Sequence, residues 1–252
     1  MKKNMIYYTK YAIRGEALRL DRYLTATGLL SRKEAAAAAK AGRITVNGEI
    51  VRRADGHINE ETDEVRLDGS PVGYNRYDYV WLNKPSGYVS ATEDGRLPCV
   101  TELLPPPLDK RGLFPCGRLD RDTVGLMLLT NDGQLSHRLL SPRRHVEKEY
   151  RFTCDAPLAA DAETRFAEGI ALGEELCKPA KLVCDEGRRG GVITLTEGKY
   201  HQIKRMVEVC GSHVTALERI SFAGIPLDPM LARGEIRPLR EEEIESLRRK
   251  AD

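Results

Sequence analysis

Two carboxylates lie close together in a polar turn near the middle of this 252-residue sequence. Asp120 and Asp122 belong to the segment GRLDRDTVGL, which has a glycine near each end and leads into an apolar run typical of a strand. A carboxylate held where a strand begins can act as a nucleophile or as a general base. The same two acids could instead form a glycosidase pair, or simply cap the backbone of their own turn. The residue types alone leave these interpretations open.

Several other kinds of site have no support in the sequence. It contains no G-x-x-x-x-G-K-S/T phosphate loop, no H-E-x-x-H zinc motif and no G-x-S-x-G nucleophile elbow. None of its six cysteines forms a C-x-x-C pair, the usual ligand spacing of a structural zinc site. We therefore expect neither a metal ion nor a cofactor.

Charge is distributed unevenly along the chain. The net charge is only +2, so bulk charge does not indicate a nucleic-acid partner. Between Arg14 and Arg53, however, nine basic residues accompany only four acidic ones. Arg32 and Lys33 begin a predicted helix and Arg43 precedes a predicted hairpin, positions that suit phosphate contacts. A solvated basic surface without a ligand is the alternative.

The elements around these cations predict a small helix–helix–hairpin unit. Residues 19–27 form one helix, and Ser31 with Glu34 is a capping box for a second helix through the alanine run that follows. Asn47-Gly48 is the signal of a two-residue hairpin turn. We place this unit, with its following short strand, at residues 17–73.

The remainder, residues 76–245, mixes strands and helices without a regular alternation. This arrangement predicts an α+β fold with a mainly antiparallel sheet, preceded by the small unit. The predicted strands are 79–82, 124–129, 146–154 and 192–195, and the predicted helices are 134–140, 158–169 and 201–210. The charged stretch 240–252 indicates a solvated helix.

Five segments, taken in order, resemble known families. RLDRYLTATGLLSRKEAAAAAKAGRITVNGEIV resembles the alpha-L RNA-binding motif. GRLDRDTVGLMLLTNDG is similar to the catalytic segment of pseudouridine synthases of the ribosomal small-subunit type, and WLNKPSG, KEY and EGKYHQIKRM resemble the other motifs of that family. The resemblance spans roughly residues 17 to 245, and it is specific because the segments follow one another along the chain in the order expected for the family.

The resemblance implies three catalytic residues. Asp120 would supply the catalytic carboxylate, either by attacking the sugar C1′ or by assisting loss of uracil and taking a proton from the neighbouring carbon. Lys204 would be the cation partner that keeps this carboxylate ionised. Tyr150 would stack on the uracil while it is detached, or take part in proton transfer. We expect His201 to support the cleft rather than to act in catalysis.

The resemblance also implies a set of RNA-binding residues. Arg118 would lie beside the flipped nucleotide and hold a phosphate or the displaced partner base. The other expected contacts are the cleft cations Lys84, Lys148 and Arg205, and the phosphate-binding residues Arg32, Lys33 and Arg43 of the N-terminal unit.

The expected function is isomerisation of a specific uridine in 16S ribosomal RNA to pseudouridine. The alternatives are a synthase acting on 23S ribosomal RNA, a non-catalytic RNA-binding assembly factor, and a carbohydrate hydrolase that uses Asp120 and Asp122. The partner would be ribosomal RNA or a ribosomal assembly intermediate. The sequence has no apolar run that could span a membrane and no secretory signal, so we expect a cytoplasmic protein, and a monomer.

Overall fold

The computed structural model describes residues 18–60, 62–73, 77–141, 144 and 146–251. They divide into two compact units, one within Met1–Asp78 and Leu104–Leu113, the other within Tyr79–Leu103 and Phe114–Asp252. The predicted boundary positions 17 and 76, and residues 1–16, lie outside the described residues. The segment 104–113 groups with the first unit, although the sequence places it inside the second predicted domain.

The first unit contains short strands and two helices. They are β1 (Leu18–Arg19), α1 (Leu20–Ala26), α2 (Arg32–Lys40), β2 (Ile44–Val46), β3 (Glu49–Ile50), β4 (His57–Ile58), β5 (Val65–Leu67), β6 (Ser70–Pro71) and a 3-10 turn at Leu108–Lys110. The predicted capping box is confirmed, because Ser31 Oγ accepts from the Glu34 amide and the Glu34 carboxylate accepts from the Ser31 amide.

Apolar side chains from both helices and the small sheet form the core of this unit. The strand order is β3-β2-β5-β6, with Asn47 and Gly48 in the turn between β2 and β3. Leu24 of α1, Ala39 of α2 and Ile44 of β2 are completely buried together. Within this unit, segment 104–113 packs against Gly28. Gly28 has a φ of +76°, and a Cβ atom on it would lie 2.7 Å from the carbonyl oxygen of Pro107. Glycine is required there by both conformation and space.

The second unit contains the larger sheet. Its strands are β7 (Tyr79–Lys84), β8 (Phe114–Pro115), β9 (Val124–Thr130), β10 (Lys148–Cys154), β11 (Ala171–Leu172), β12 (Glu175–Leu176), β13 (Lys181–Cys184), β14 (Gly190–Leu195), β15 (Val214–Phe222), β16 (Ile225–Pro226) and β17 (Ile236–Pro238). Its helices are α3 (Gly133–Leu140), α4 (Ala162–Glu168), α5 (Gln202–Val209) and α6 (Glu241–Ala251), with a 3-10 turn at Val100–Leu103.

The strand order β13-β14-β10-β15-β9-β7-β17 is antiparallel except at one position. Strands β9 and β15 pair in parallel, with Val124 opposite Glu218 and Gly125 opposite Arg219. The predicted α+β class with a mainly antiparallel sheet is therefore confirmed. No helix among the described residues has the length and apolar character needed to cross a membrane.

The parallel contact explains why a glycine follows the acidic turn. Gly125 has a φ of +104°, and a Cβ atom there would lie 2.3 Å from the carbonyl oxygen of Arg219. No other residue type fits so close to the backbone of β15. Gly125 thereby allows β9, which follows the acidic turn, to lie directly against β15.

Candidate active site

The acidic turn opens onto a cavity of about 640 Å³ in the second unit. We call this cavity the Asp120 pocket. Its walls come from the turn itself, from β10 and β15 of the sheet, and from the segment that leads into α5. The volume is within the range of sites that enclose a small molecule or a nucleotide. The pocket brings together Asp120, Tyr150 and Lys204, the three residues predicted to be catalytic.

A buried lysine fixes the backbone of the acidic turn through hydrogen bonds. Lys84 ends β7 and is completely buried. Its Nζ donates hydrogen bonds over 2.8–3.2 Å to the carbonyl oxygens of Pro85, Asp120, Arg121 and Thr123. The Ser90 hydroxyl adds a second attachment, since it donates to the Leu119 carbonyl and accepts from the Leu119 amide. Asp120 is thus carried by a turn whose backbone is fixed on both sides.

The Asp120 carboxylate faces two groups at the start of α5. Its Oδ2 lies 3.0 Å from Lys204 Nζ, the contact that the resemblance implies, and its Oδ1 lies 3.6 Å from His201 Nε2. Lys204 also binds the Asp122 carboxylate at 2.7 Å. The side chain of Asp120 is 27% exposed and that of Asp122 is 68% exposed. Asp120 is therefore the acid better sheltered from solvent.

Electrostatics keep Lys204 and Asp122 charged. Burial disfavours the charge of Lys204, but hydrogen bonds to Asp122 and Asp120 outweigh it and raise the pKa of the amine. Burial likewise opposes the charge of Asp122, yet Lys204 lowers the pKa of that carboxyl below its usual value. The pocket therefore keeps a fixed cation in contact with Asp120 at neutral pH.

Tyr150 and Arg219 are cross-strand neighbours on β10 and β15. Both side chains are buried and both line the Asp120 pocket, so the tyrosine ring borders the space into which Asp120 faces. A ring in this place can stack on a base. The sequence reasoning missed Arg219, because a lone arginine between hydrophobic residues carries no motif.

The mouth of the pocket is basic and aromatic. Arg118 and Arg121 are exposed there, one on each side of Asp120 in sequence. Tyr200 is 77% exposed, and its ring stacks on His201 at a centroid distance of 3.8 Å. His201 adopts a left-handed conformation at the start of α5, which turns its ring towards Asp120. His201 contacts the carboxylate more directly than the sequence suggests.

The three predicted cleft cations lie in different surroundings, and only Lys148 lines the pocket. Lys84 was expected to contact RNA, but it is enclosed by backbone carbonyls beneath the acidic turn. Arg205 does not line the pocket, and its Nη2 donates to the Leu172 carbonyl at 3.1 Å. Lys148 does line the pocket, but as a buried side chain whose Nζ donates to the Val146 carbonyl at 2.9 Å. Burial and the nearby Arg219 lower its pKa to about 8.

The predicted phosphate-binding residues of the first unit differ in their surroundings. Arg32 and Lys33 are exposed in the first turn of α2, where the helix dipole favours an anion. Arg43 is instead engaged by the Asp68 carboxylate through hydrogen bonds of 2.8 and 2.5 Å. A phosphate would have to compete with Asp68 for this side chain, so the phosphate contact of Arg43 stays a prediction.

The arrangement as a whole suits nucleophilic or acid–base chemistry by a carboxylate. Among the described side chains, no group of three or more His, Cys, Asp or Glu is placed to bind a metal ion. The pocket instead provides one sheltered carboxylate, a cation in contact with it, and a tyrosine ring beside both. These groups can form or release a bond at a carbon atom without a redox step.

Comparison with known proteins identifies two regions. Residues 78–209 match the family model described as RNA pseudouridylate synthase, and residues 18–65 match the S4 domain. The first match contains Asp120, Tyr150 and Lys204, and the second contains Arg32 and Lys33.

Individual relatives match over nearly their whole length. The chain is 44% identical to ribosomal small subunit pseudouridine synthase A of Escherichia coli (strain K12) over 233 residues, which is 91% of this chain and 100% of that protein. It is 43% identical to an RNA pseudouridine synthase of Bacillus subtilis (strain 168), over 91% of this chain and 98% of the relative. A crystal structure of a pseudouridylate synthase superposes with a TM-score of 0.64 at 38% identity, covering 92% of this chain and 100% of that one.

Proposed function

Because the chain belongs to the RNA pseudouridylate synthase family and carries an S4 domain, we propose that it converts a specific uridine of small-subunit ribosomal RNA to pseudouridine. The observation that carries this proposal is the Asp120 carboxylate, which faces the pocket and lies 3.0 Å from Lys204 Nζ. The enzyme class itself follows from family membership. The RNA and the roles of the residues are the proposed part.

The proposed reaction separates uracil from the ribose and rejoins it through C5. Asp120 acts on the sugar, by bonding to C1′ or by taking the proton of C2′ as the C1′–N1 bond breaks. Lys204 pairs with the Asp120 carboxylate and orients it towards the sugar. Tyr150 stacks on the detached base and holds it in the pocket while it turns. Atoms balance without any reagent, since the proton lost from C5 is replaced by one at N1.

Access to the pocket requires the target uridine to leave its stack in the RNA. Unstacking costs a few kcal/mol, which contacts along the neighbouring backbone must offset. Arg118 and Arg121, exposed at the mouth, are suited to bind the phosphates on either side of the flipped nucleotide. The exposed ring of Tyr200 is suited to stack on an adjacent base.

The chain is similar to a small-subunit synthase over the full length of that relative. This similarity favours small-subunit ribosomal RNA over large-subunit ribosomal RNA as the substrate. Family membership leaves the carbohydrate hydrolase without support, and the Asp120 environment argues against a purely RNA-binding assembly factor. The monomeric state and the cytoplasmic location stay predictions from the sequence.

Mapping pseudouridines in ribosomal RNA from cells with and without the gene tests the proposal. We expect a single site to disappear from 16S RNA and to return when the gene is restored. Loss of a site from 23S RNA would instead assign the large-subunit alternative. An unchanged map in both RNAs would reject the proposed function.

The S4 domain provides a second prediction. Replacing both Arg32 and Lys33 with alanine should weaken binding to the RNA substrate and make the salt dependence of log Kd shallower by about one to two units. The physical reason is that binding releases counterions from the RNA where a cation of the protein neutralises a phosphate. Each contact that is lost lowers the number of counterions released. Filter binding over a range of salt concentrations measures both quantities.

A matched control removes the same charge from the same unit. Arg53 and Arg66 already form ion pairs with Asp55 and Glu64, so the double alanine variant at these positions should leave the slope nearly unchanged. Equal slopes in the two double variants would show that Arg32 and Lys33 make no specific phosphate contact.

A further inference from the structure

Three buried cations lie beneath the Asp120 pocket without a carboxylate partner. Lys84, Lys148 and Arg219 are 0%, 9% and 1% exposed. Within the described part of the chain none of them lies within 4.0 Å of a carboxylate oxygen, and the nearby acids Asp120 and Asp122 both contact Lys204. Buried charges in proteins are ordinarily paired. The floor of this pocket therefore carries more positive charge than its own acids neutralise.

The three cations are not equally available to a ligand. Lys84 is committed to the carbonyls of the acidic turn. Arg219 uses Nε to donate to the Leu126 carbonyl at 2.6 Å, but its buried Nη2 has no hydrogen-bond partner among the described residues. Lys148 makes one hydrogen bond there, to Val146. Arg219 and Lys148 are thus the groups with donors left for an occupant of the pocket.

The positions of these two side chains are fixed by the sheet. Arg219 is the cross-strand neighbour of Tyr150, and Lys148 lies two residues before Tyr150 on the same strand. Both cations lie near the Phe222 ring, with Arg219 Cζ at 5.1 Å and Lys148 Nζ at 6.0 Å from its centroid. A base stacked on Tyr150 would therefore lie close to both donors.

The reaction creates an anion at this place. When the C1′–N1 bond breaks, its electron pair leaves with the base and spreads over N1, O2 and O4 of uracil. C1′ is then joined to Asp120 or, after loss of the C2′ proton to Asp120, doubly bonded to C2′. In either route the detached base is negative, and donors aimed at that charge lower the barrier.

We propose that Arg219, assisted by Lys148, binds the carbonyl oxygens of the target uracil and stabilises the negative charge that develops when the base leaves the ribose. This role rests on the proposed function and adds to it an electrophilic site that no sequence motif marks. Arg219 is in this view a catalytic residue, because its guanidinium touches the reacting base.

A phosphate is the other anion that these cations could bind. Phosphates of the RNA are strongly hydrated and remain at the mouth, where Arg118 and Arg121 are exposed. Arg219 is nearly inaccessible and lies beside the ring expected to stack on the base. Burial depth therefore favours the uracil over a phosphate.

The test compares Arg219→Gln with the unchanged protein in single-turnover reactions on an RNA fragment that carries uridine or 5-fluorouridine at the target position. Loss of the charge should slow uridine conversion by about 100-fold or more, with the Kd for the RNA little changed. Fluorine withdraws electrons and stabilises the departing anion by itself. Consumption of 5-fluorouridine, followed by nuclease digestion and chromatography, should therefore slow much less.

Two further variants keep the result interpretable. Arg219→Lys restores the charge and should recover part of the rate, whereas a purely structural role would give no such recovery. If Arg219→Gln does not fold, Lys148→Met takes its place. It should slow the conversion of uridine more than that of 5-fluorouridine, with a smaller loss of rate than expected for Arg219→Gln. Arg118→Gln is the contrasting control, because it should raise Kd and affect both substrates equally.

Two results would overturn the proposal. Equal slowing on uridine and 5-fluorouridine, together with a raised Kd, would show that Arg219 binds a phosphate. An unchanged rate on uridine would show that it has no catalytic role. If the unchanged protein forms no pseudouridine on any ribosomal RNA fragment, the proposed function fails first, independently of Arg219.

Discussion

Asp120→Asn should abolish pseudouridine formation, with a loss of about 10⁴-fold or more in the rate of the chemical step. Asparagine has nearly the same shape, but it can neither bond to C1′ as a carboxylate nor take a proton from C2′. Lys204 keeps its second partner, Asp122, so the pocket should retain its structure. Tritium release from ribosomal RNA labelled at C5 of uridine measures the reaction, and RNA affinity should be preserved.

Asp122→Asn is the matched control for this variant. The residue is two positions away and also contacts Lys204, but its side chain is largely exposed. Removing its charge should lower activity only modestly, by less than about tenfold, as for a partly solvated ion pair. Similar losses in both variants would contradict the assignment of a single catalytic carboxylate. Complementation of a gene deletion by Asp120→Asn would indicate that RNA binding is the role needed in the cell.

Lys84→Met should lower both stability and activity, although Lys84 is not expected to touch the substrate. Its Nζ holds four carbonyl oxygens at and below the acidic turn, and methionine has a similar length but no donor. Leaving buried carbonyls without partners should destabilise the protein by about 2–3 kcal/mol. A displacement of Asp120 by about 1 Å would further lower kcat by about 100-fold.

Separate measurements of kcat, RNA affinity and unfolding distinguish this role from the one expected from the sequence. A lysine that binds RNA would raise Kd when replaced, whereas a lysine that positions the turn lowers kcat with Kd little changed. Lys181→Met, at an exposed position of β13, removes the same charge and should alter none of the three. A raised Kd with normal kcat in Lys84→Met would restore the original expectation.

The elements with strong local signals could be predicted from the sequence. The Ser31–Glu34 capping box and the Asn47-Gly48 turn specify their structures through nearby residues only. Apolar runs such as that of β9 indicate strands because both faces are buried. The contact between Asp120 and Lys204, by contrast, was implied by the order of motifs rather than by any local rule.

What the sequence could not provide depends on contacts between distant segments. Strand β15 was not predicted, because Glu218 and Arg219 interrupt its hydrophobic pattern, and only the fold shows that Arg219 is buried. The resemblance assigned Lys84 to the cleft, and a lysine is ordinarily exposed. Its burial follows from carbonyl oxygens contributed by a turn more than thirty residues away. Charge alone does not tell which cations face the ligand.

The parallel pairing of β9 with β15 also determines when the Asp120 pocket is completed during synthesis. During synthesis the turn bearing Asp120 leaves the ribosome long before Val214–Phe222 is made, so β9 waits without its neighbour on that side. Lys204 and Arg219 arrive only with this last third of the chain. A growing polypeptide therefore holds the carboxylate without Lys204, which contacts it in the finished pocket, and without Arg219. The Asp120 pocket is therefore complete only after β15 has been added.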